Sequence, residues 1–181
     1  MVANMPQVTW FQKLQIRHFS KPATDRPLLI HLLDQPVRSI LEICIGNGQR
    51  TQPIMDLVQL PADVAQLRYC GVDPFESSSE GREHLKLKQA HRLLSERGIK
   101  AHLIPGELHS SLVRVTHMVQ PSDLVIIDHG YGVHSDLGQA LNQWLPRLAS
   151  EEAVIFARAE STDPFQRVSV DRGQVSVRRA A

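Results

Sequence analysis

Five short apolar runs recur along the chain, at residues 39–45, 67–74, 100–106, 123–128 and 152–157. Each is bounded by Gly, Pro, Asp or another polar residue. Runs of this length with such borders read as strands buried on both faces. Between them the spacing changes. Leu137, Ala140, Leu141, Trp144, Leu145 and Leu148 fall three or four apart, or side by side, along one helical stripe. Leu108, Leu112, Val115 and Val119 form a second stripe, and Leu87, Ala90 and Leu94 a third, which Gly98 would close as a left-handed cap. Leu29, Leu32 and Leu33 mark a helix before the first strand, opened by Thr24 or Asp25 with Pro27 in its first turn. Residues 50–60 give a weaker helix stopped by Pro61.

Strand and helix alternate, so the strands should lie parallel and be joined by right-handed crossovers. The end of the chain differs. Residues 165–170 and 174–178 alternate apolar and polar around Asp171-Arg172-Gly173, which signals an antiparallel hairpin with Val168 and Val170 facing Val175 and Val177. The expected architecture is α/β: a doubly wound sheet of five parallel strands plus a C-terminal antiparallel hairpin, with helices on both faces. Residues 1–23 hold Trp10, Phe11 and Phe19 without a clear period and read as an N-terminal arm. Residues 24–181 read as one domain, which the length of 181 residues also suits.

Composition narrows the function classes. Lys plus Arg is 20 and Asp plus Glu is 19, a net charge of +1. No broad basic surface points to nucleic acid, and no field steers the chain onto an anionic membrane. No apolar run approaches the roughly 20 residues of a membrane span. The first residues lack a basic segment followed by an apolar one, so a cytoplasmic location is expected. Cys44 and Cys70 both fall in strand-like runs and read as reduced, small hydrophobes. An exposed hairpin edge or the aromatic arm is available to pair two chains as a homodimer.

The candidate chemistry sits where the first strand ends. Glu42 is followed by Gly46-Asn47-Gly48 and then a helix. Glycines there let the backbone turn sharply and approach a ligand. Asp73 closes the second strand, where a carboxylate can accept both hydroxyls of a ribose. In an open α/β sheet, ligands sit beyond the carboxyl ends of the strands, so Gly46, Gly48 and Asp73 should converge on one nucleoside. A dinucleotide fingerprint needs a third glycine, and Thr51 stands in its place. Glu42 also suits a ligand with ammonium and sulfonium charges better than one with two phosphates.

These residues resemble the class I S-adenosylmethionine-dependent methyltransferases, over about residues 24–181. The run Leu41-Glu42-Ile43-Cys44-Ile45-Gly46-Asn47-Gly48 is similar to their first motif, with Cys44 where many members have another glycine. The resemblance implies a Rossmann-like fold and S-adenosylmethionine as cofactor. It implies cofactor contacts by Glu42, the Gly46, Asn47 and Gly48 loop, Asp73 on the ribose hydroxyls, Glu107 near the adenine, and Asp128 ending strand four. The segment from Ile126 to Tyr131, followed by Asp136-Leu137, is similar to small-molecule O-methyltransferases. That likeness implies a small-molecule acceptor, with oxygen as the nucleophile. His129 and His134 are then candidate bases, because neutral imidazole is available near pH 7, and Tyr131 is a candidate to orient the acceptor. Some of these enzymes bind a metal at the ends of strands four and five. Here Arg158 would put a cation at that place, so no metal is expected. A methyltransferase-fold binding module without turnover, and a nicotinamide-dependent oxidoreductase, are the alternative readings.

Overall fold

The computed structural model describes residues 22–77, 84–129, 136–170 and 177–179, together with Ile16. Seven strands form one sheet: β1 (Ser39–Ile43), β2 (Arg68–Asp73), β3 (Ala101–Pro105), β4 (Ser122–Asp128), β5 (Ala149–Arg158), β6 (Gln166–Val170) and β7 (Val177–Arg179). Five α-helices lie among the described residues: α1 (Arg26–Asp34), α2 (Thr51–Leu57), α3 (Leu87–Ser95), α4 (Leu108–Met118) and α5 (Asp136–Leu148). The strand order is β3-β2-β1-β4-β5-β6-β7. β1 to β5 are parallel, and β6 and β7 are antiparallel to their neighbours. The α/β expectation of five parallel strands and a terminal antiparallel pair therefore holds.

Alternation along each strand divides the core into two layers. Ile40, Tyr69, Leu124, Ile126 and Phe156 face α1, α2 and α3 through Leu28, Leu32, Ile54 and Leu94. Leu41, Ile43, Val72, Val125 and Ile127 face α4 and α5 through Leu112, Val115, Leu141 and Leu145. These central side chains are almost wholly buried, and each contributes about 1.5–3 kcal/mol of hydrophobic stabilisation. Ile16 packs against the first layer. The rest of the expected arm before residue 22 lies outside the described residues. Among the described residues, no helix is long and apolar enough to cross a membrane.

Three details depart from the expected boundaries. The helix after the glycine loop ends at Leu57, before Pro61. Val58 turns to φ −58°, ψ 131°, and the next carbonyl, Gln59, accepts the Val37 N–H at 2.8 Å instead of continuing the helix. The terminal hairpin pairs Val170 with Val177 and Val168 with Arg179. Val168 is therefore paired with Arg179 rather than with Val175 or Val177. The expected turn at Asp171-Arg172-Gly173, and Val175, lie outside the described residues. The link from β5 to β6, residues 159–165, carries no α-helix. A parallel crossover needs a dozen or more residues, so the chain folds straight back and β6 runs antiparallel. Phe165 ends this link, buried, with its N–H donating to the Thr24 carbonyl at 2.9 Å.

Candidate functional site

β1 lies between β2 and β4, and the order of strands reverses there. A crevice should open at that switch point, outside the carboxyl ends. Backbone strain marks the same place. Cys44, Phe75 and His129 are non-glycine residues with positive φ, at 64°, 49° and 79°. Each follows within two residues of the end of β1, β2 or β4. A left-handed L-residue costs about 1–3 kcal/mol and persists where its surroundings over-determine it. Gly46 and Gly48 have φ of 64° and 75°, which glycine adopts freely. The Cys44 backbone takes the same left-handed conformation, so the loop keeps a glycine-like path through a residue that is not glycine.

A cleft of about 440 Å³ opens over this loop. Its walls include Asp25, the stretch Cys44 to Asn47, Arg50, His84, Asp128, His129 and Arg158. A Cβ built on Gly46 would meet no heavy atom within 4 Å, so the loop backbone is bare there. A second cleft of about 410 Å³ lies at the opposite, amino ends of the strands, beside Arg68, Lys100 and Met118. None of the strained residues and none of the sequence-predicted site residues lines it.

An alternating chain of charges floors the first cleft. Glu42 is fully buried, and Oε1 accepts from Arg50 Nε at 3.1 Å and Nη2 at 2.8 Å. The Tyr69 hydroxyl donates to Glu42 Oε2 at 2.6 Å, and the Thr51 hydroxyl lies 3.1 and 3.2 Å from the two carboxylate oxygens. Arg50 also donates to the Cys44 carbonyl at 2.9 Å and, through Nη1, to Asp128. Arg158 donates through Nε to Asp128 and through Nη1 to Asp25 at 3.1 Å. Phe165 lies under both arginines, its ring centre 4.4 Å from the Arg158 guanidinium carbon and 5.6 Å from that of Arg50. Such stacking is favourable where the cation is desolvated.

The electrostatic consequences differ along this chain. Burial works to raise the Asp128 carboxyl, but the Arg158 hydrogen bond and the nearby Arg50 charge outweigh it and hold it below its usual value. Burial dominates at Asp25, whose carboxyl is raised despite Arg158 and Arg50. Burial would lower the Arg50 guanidinium, yet Glu42 and Asp128 raise it, so it stays charged. Tyr69 is pushed well up by burial and by the Glu42 carboxylate, which keeps its hydroxyl a donor.

Not every residue singled out in the sequence reaches the cleft. Gly46, Asn47, Asp128 and His129 line it. Gly48 adjoins them, its Cα face covered by the Leu85 side chain. Glu42 lies beneath the loop and is committed to Arg50, Thr51 and Tyr69. Asp73 is fully buried: Oδ2 accepts from Gly46 N–H at 2.9 Å, and Oδ1 accepts from Phe75 N–H at 2.7 Å and lies 2.9 Å from His84 Nδ1. Glu107 is the N-cap of α4, accepting from the His109 and Ser110 N–H groups at 2.9 and 3.0 Å. Those two bonds hold its carboxyl below the usual range. Its acidic character is therefore explained by capping. His129 Nδ1 lies 3.3 Å from Glu160 Oε2. Tyr131 and His134 lie outside the described residues.

Arg50, His84 and the ionic role of Asp25 did not stand out in the sequence. Arg50 had one weak signal, a lone cation two residues beyond the glycine turn with Glu42 eight residues earlier. His84 sits in a polar stretch with no motif. No disulfide joins Cys44 and Cys70, and burial pushes the Cys70 thiol up to about 12. Among the described residues no group of three or more His, Cys, Asp or Glu side chains could hold a metal ion.

The sheet, its terminal antiparallel pair and the glycine loop at the β1–β4 switch define the fold of S-adenosylmethionine-dependent methyltransferases. Solved structures bear out that fold. The chain is similar to an O-methyltransferase from Bacillus cereus solved in complex with SAH, at 18% identity and a TM-score of 0.55, over 81% of this chain and 64% of that one. It is similar to a methyltransferase from Geobacter sulfurreducens, at 15% identity and a TM-score of 0.52, over 85% and 75% of the two chains. It is also similar to the O-methyltransferase TomG from Streptomyces achromogenes, involved in tomaymycin synthesis and solved with SAM, at 21% identity and a TM-score of 0.51, over 81% and 63%. The chain spans less than two thirds of the Bacillus and Streptomyces enzymes. No protein-family model matches the sequence, and no curated protein matches it.

Proposed function

We propose that this chain is an S-adenosylmethionine-dependent methyltransferase that methylates a small-molecule acceptor at oxygen. The observation that carries the reading is the bare Gly46 backbone, held over an open cleft by Asp73 at the β1–β4 switch point. The residues present fit such a cofactor. Gly46 and Asn47 offer backbone to its amino-acid end, and Asp128 and Asp25 supply negative charge along the same wall. The cofactor supplies an activated methyl group on a sulfonium. This chain's own work is alignment, since a fixed in-line approach removes much of the entropic barrier.

Glu42 acts in this reading beneath the cofactor. It fixes Arg50, and Arg50 fixes the Cys44 carbonyl and Asp128, so the loop's shape is set before a ligand arrives. His129 stands on the acceptor side, with Nδ1 beside Glu160 and its ring edge on the cleft. A neutral imidazole so oriented takes the hydroxyl proton as the acceptor oxygen attacks. The Arg158 guanidinium fills the space between Asp25 and Asp128, which supports a reaction without a bound metal. A cytoplasmic enzyme without nucleic-acid or membrane partners belongs to the same reading.

The test is turnover. Purified protein with S-adenosylmethionine and a pooled small-molecule extract is followed by mass spectrometry. The reading expects an acceptor gaining one methyl group as S-adenosylhomocysteine accumulates, both lost in His129→Ala. Cofactor binding without any methylated product would favour the binding-module alternative instead.

A further inference from the structure

The residue expected to meet the ribose, Asp73, does not face the cleft. It is fully buried, and the Gly46 N–H, the Phe75 N–H and the His84 ring already engage its two oxygens. What the cleft presents at the end of β2 is His84. Its side chain is only 14% exposed. The neighbouring Leu85 fixes it from the other side, donating its N–H to the Gly46 carbonyl at 2.8 Å. The Leu85 side chain also lies so close to Gly48 that a Cβ there would sit 2.3 Å from Cδ1. His84 is thus tied to both halves of the glycine loop.

The carboxylate sets the ring's chemistry. A carboxylate only accepts, so Nδ1 carries the proton and donates to Asp73. Nε2 of the neutral ring is then an acceptor. Among the described residues Nε2 has no hydrogen-bond partner, and it is not among the buried unpaired atoms. The ring lines the cleft and is partly exposed, which lets Nε2 meet a ligand seated there.

We propose that His84, oriented by Asp73, is the group that accepts the ribose hydroxyl of the bound nucleoside. The inference rests on the cofactor reading above and replaces direct contact by Asp73 with a relay through the imidazole. The relay leaves the three bonds on Asp73 intact, whereas direct contact requires the fully buried carboxylate to be uncovered. The Asp73–His84 pair reads the hydroxyls; the Gly46 backbone and Asp128 take the amino-acid end.

Titration calorimetry with S-adenosylhomocysteine tests this on wild type, His84→Ala and His84→Asn. Asparagine keeps an amide N–H for Asp73 but removes Nε2, and urea midpoints of both variants check the fold. The expected result is a weakening of about five- to tenfold in both, the worth of one neutral hydrogen bond. Adenosine and 2′,3′-dideoxyadenosine, used as competitors, should differ on wild type and bind both variants alike. Equal or tighter binding by the variants, with the preference for adenosine retained, overturns the relay and leaves the cofactor reading standing. No binding by wild type at millimolar S-adenosylhomocysteine overturns the cofactor reading and the relay with it.

Discussion

Removing the Glu42 carboxylate should destabilise the whole domain. Glu42 is fully buried, at the centre of a set in which Arg50, Tyr69 and Thr51 all donate to it. In Glu42→Ala the Tyr69 and Thr51 hydroxyls lose their acceptor inside the sheet–helix layer, at about 1–3 kcal/mol for a buried unsatisfied group. Arg50 retains Asp128 and the Cys44 carbonyl, so its charge is not left wholly unpaired. Breaking one partner of a buried ion pair costs about 3–5 kcal/mol, and the two contributions overlap because they share the same carboxylate. The expected loss is therefore about 4 kcal/mol, a large part of the roughly 5–15 kcal/mol of a typical domain. For a domain of this size that lowers Tm by about 8–16 °C. Equilibrium urea unfolding, read by far-UV circular dichroism, measures it. Glu42→Gln keeps the volume and one acceptor oxygen and should lose about half as much. A Glu42→Ala variant within about 1 kcal/mol of wild type, with unchanged m-value, would refute the reasoning.

Other perturbations test separate parts of the site. Gly48→Ala combines a left-handed φ with the Leu85 contact and should cost about 2–4 kcal/mol, read from urea midpoints; a loss under about 0.5 kcal/mol would contradict the loop geometry. Cys44→Val puts a β-branched residue at positive φ and should destabilise by about 2 kcal/mol, whereas Cys44→Gly should lie within about 1 kcal/mol of wild type. Asp128 is held below its usual value, so its stabilisation is complete above the ordinary carboxyl range near ~4 and is lost as pH falls through the lowered value. Asp128→Asn should therefore flatten the acid limb of the stability–pH curve. Asp25 is raised, so its contribution is complete below that range and declines as pH rises through the raised value. At pH 7, Asp25→Asn should then cost less than Asp128→Asn.

Local pattern carried most of the fold. The apolar runs at 39–45 and 123–128 contain β1 and β4, and Ala140, Leu141, Leu145 and Leu148 of the predicted stripe are buried on α5. These follow from side-chain period, which is a property of neighbouring residues. The site was legible only where it is backbone: Gly46 and Gly48 do take the left-handed turns that their spacing implied. The ionic floor was not legible. Arg50 meets Asp128 across 78 residues and Arg158 meets Asp25 across 133, and those pairings exist only because the strand order brings β4 beside β1 and β5 beside β4. Glu42 illustrates the difference. Its position in the motif could be read, but its partners lie on β2 and α2, so its burial beneath the loop could not. Glu107 shows the reverse, an acid whose placement is fully explained by the helix it caps.

The most direct measurement is a crystal structure with S-adenosylhomocysteine soaked in at saturating concentration. The account predicts the amino-acid end over Gly46 and Asn47 and beside Asp128, the ribose hydroxyls beside His84, the sulfur toward His129, and the Arg158 guanidinium still between Asp25 and Asp128. A cleft that stays empty under those conditions, or a ligand seated at the amino ends of the strands beside Arg68 and Lys100, would contradict it.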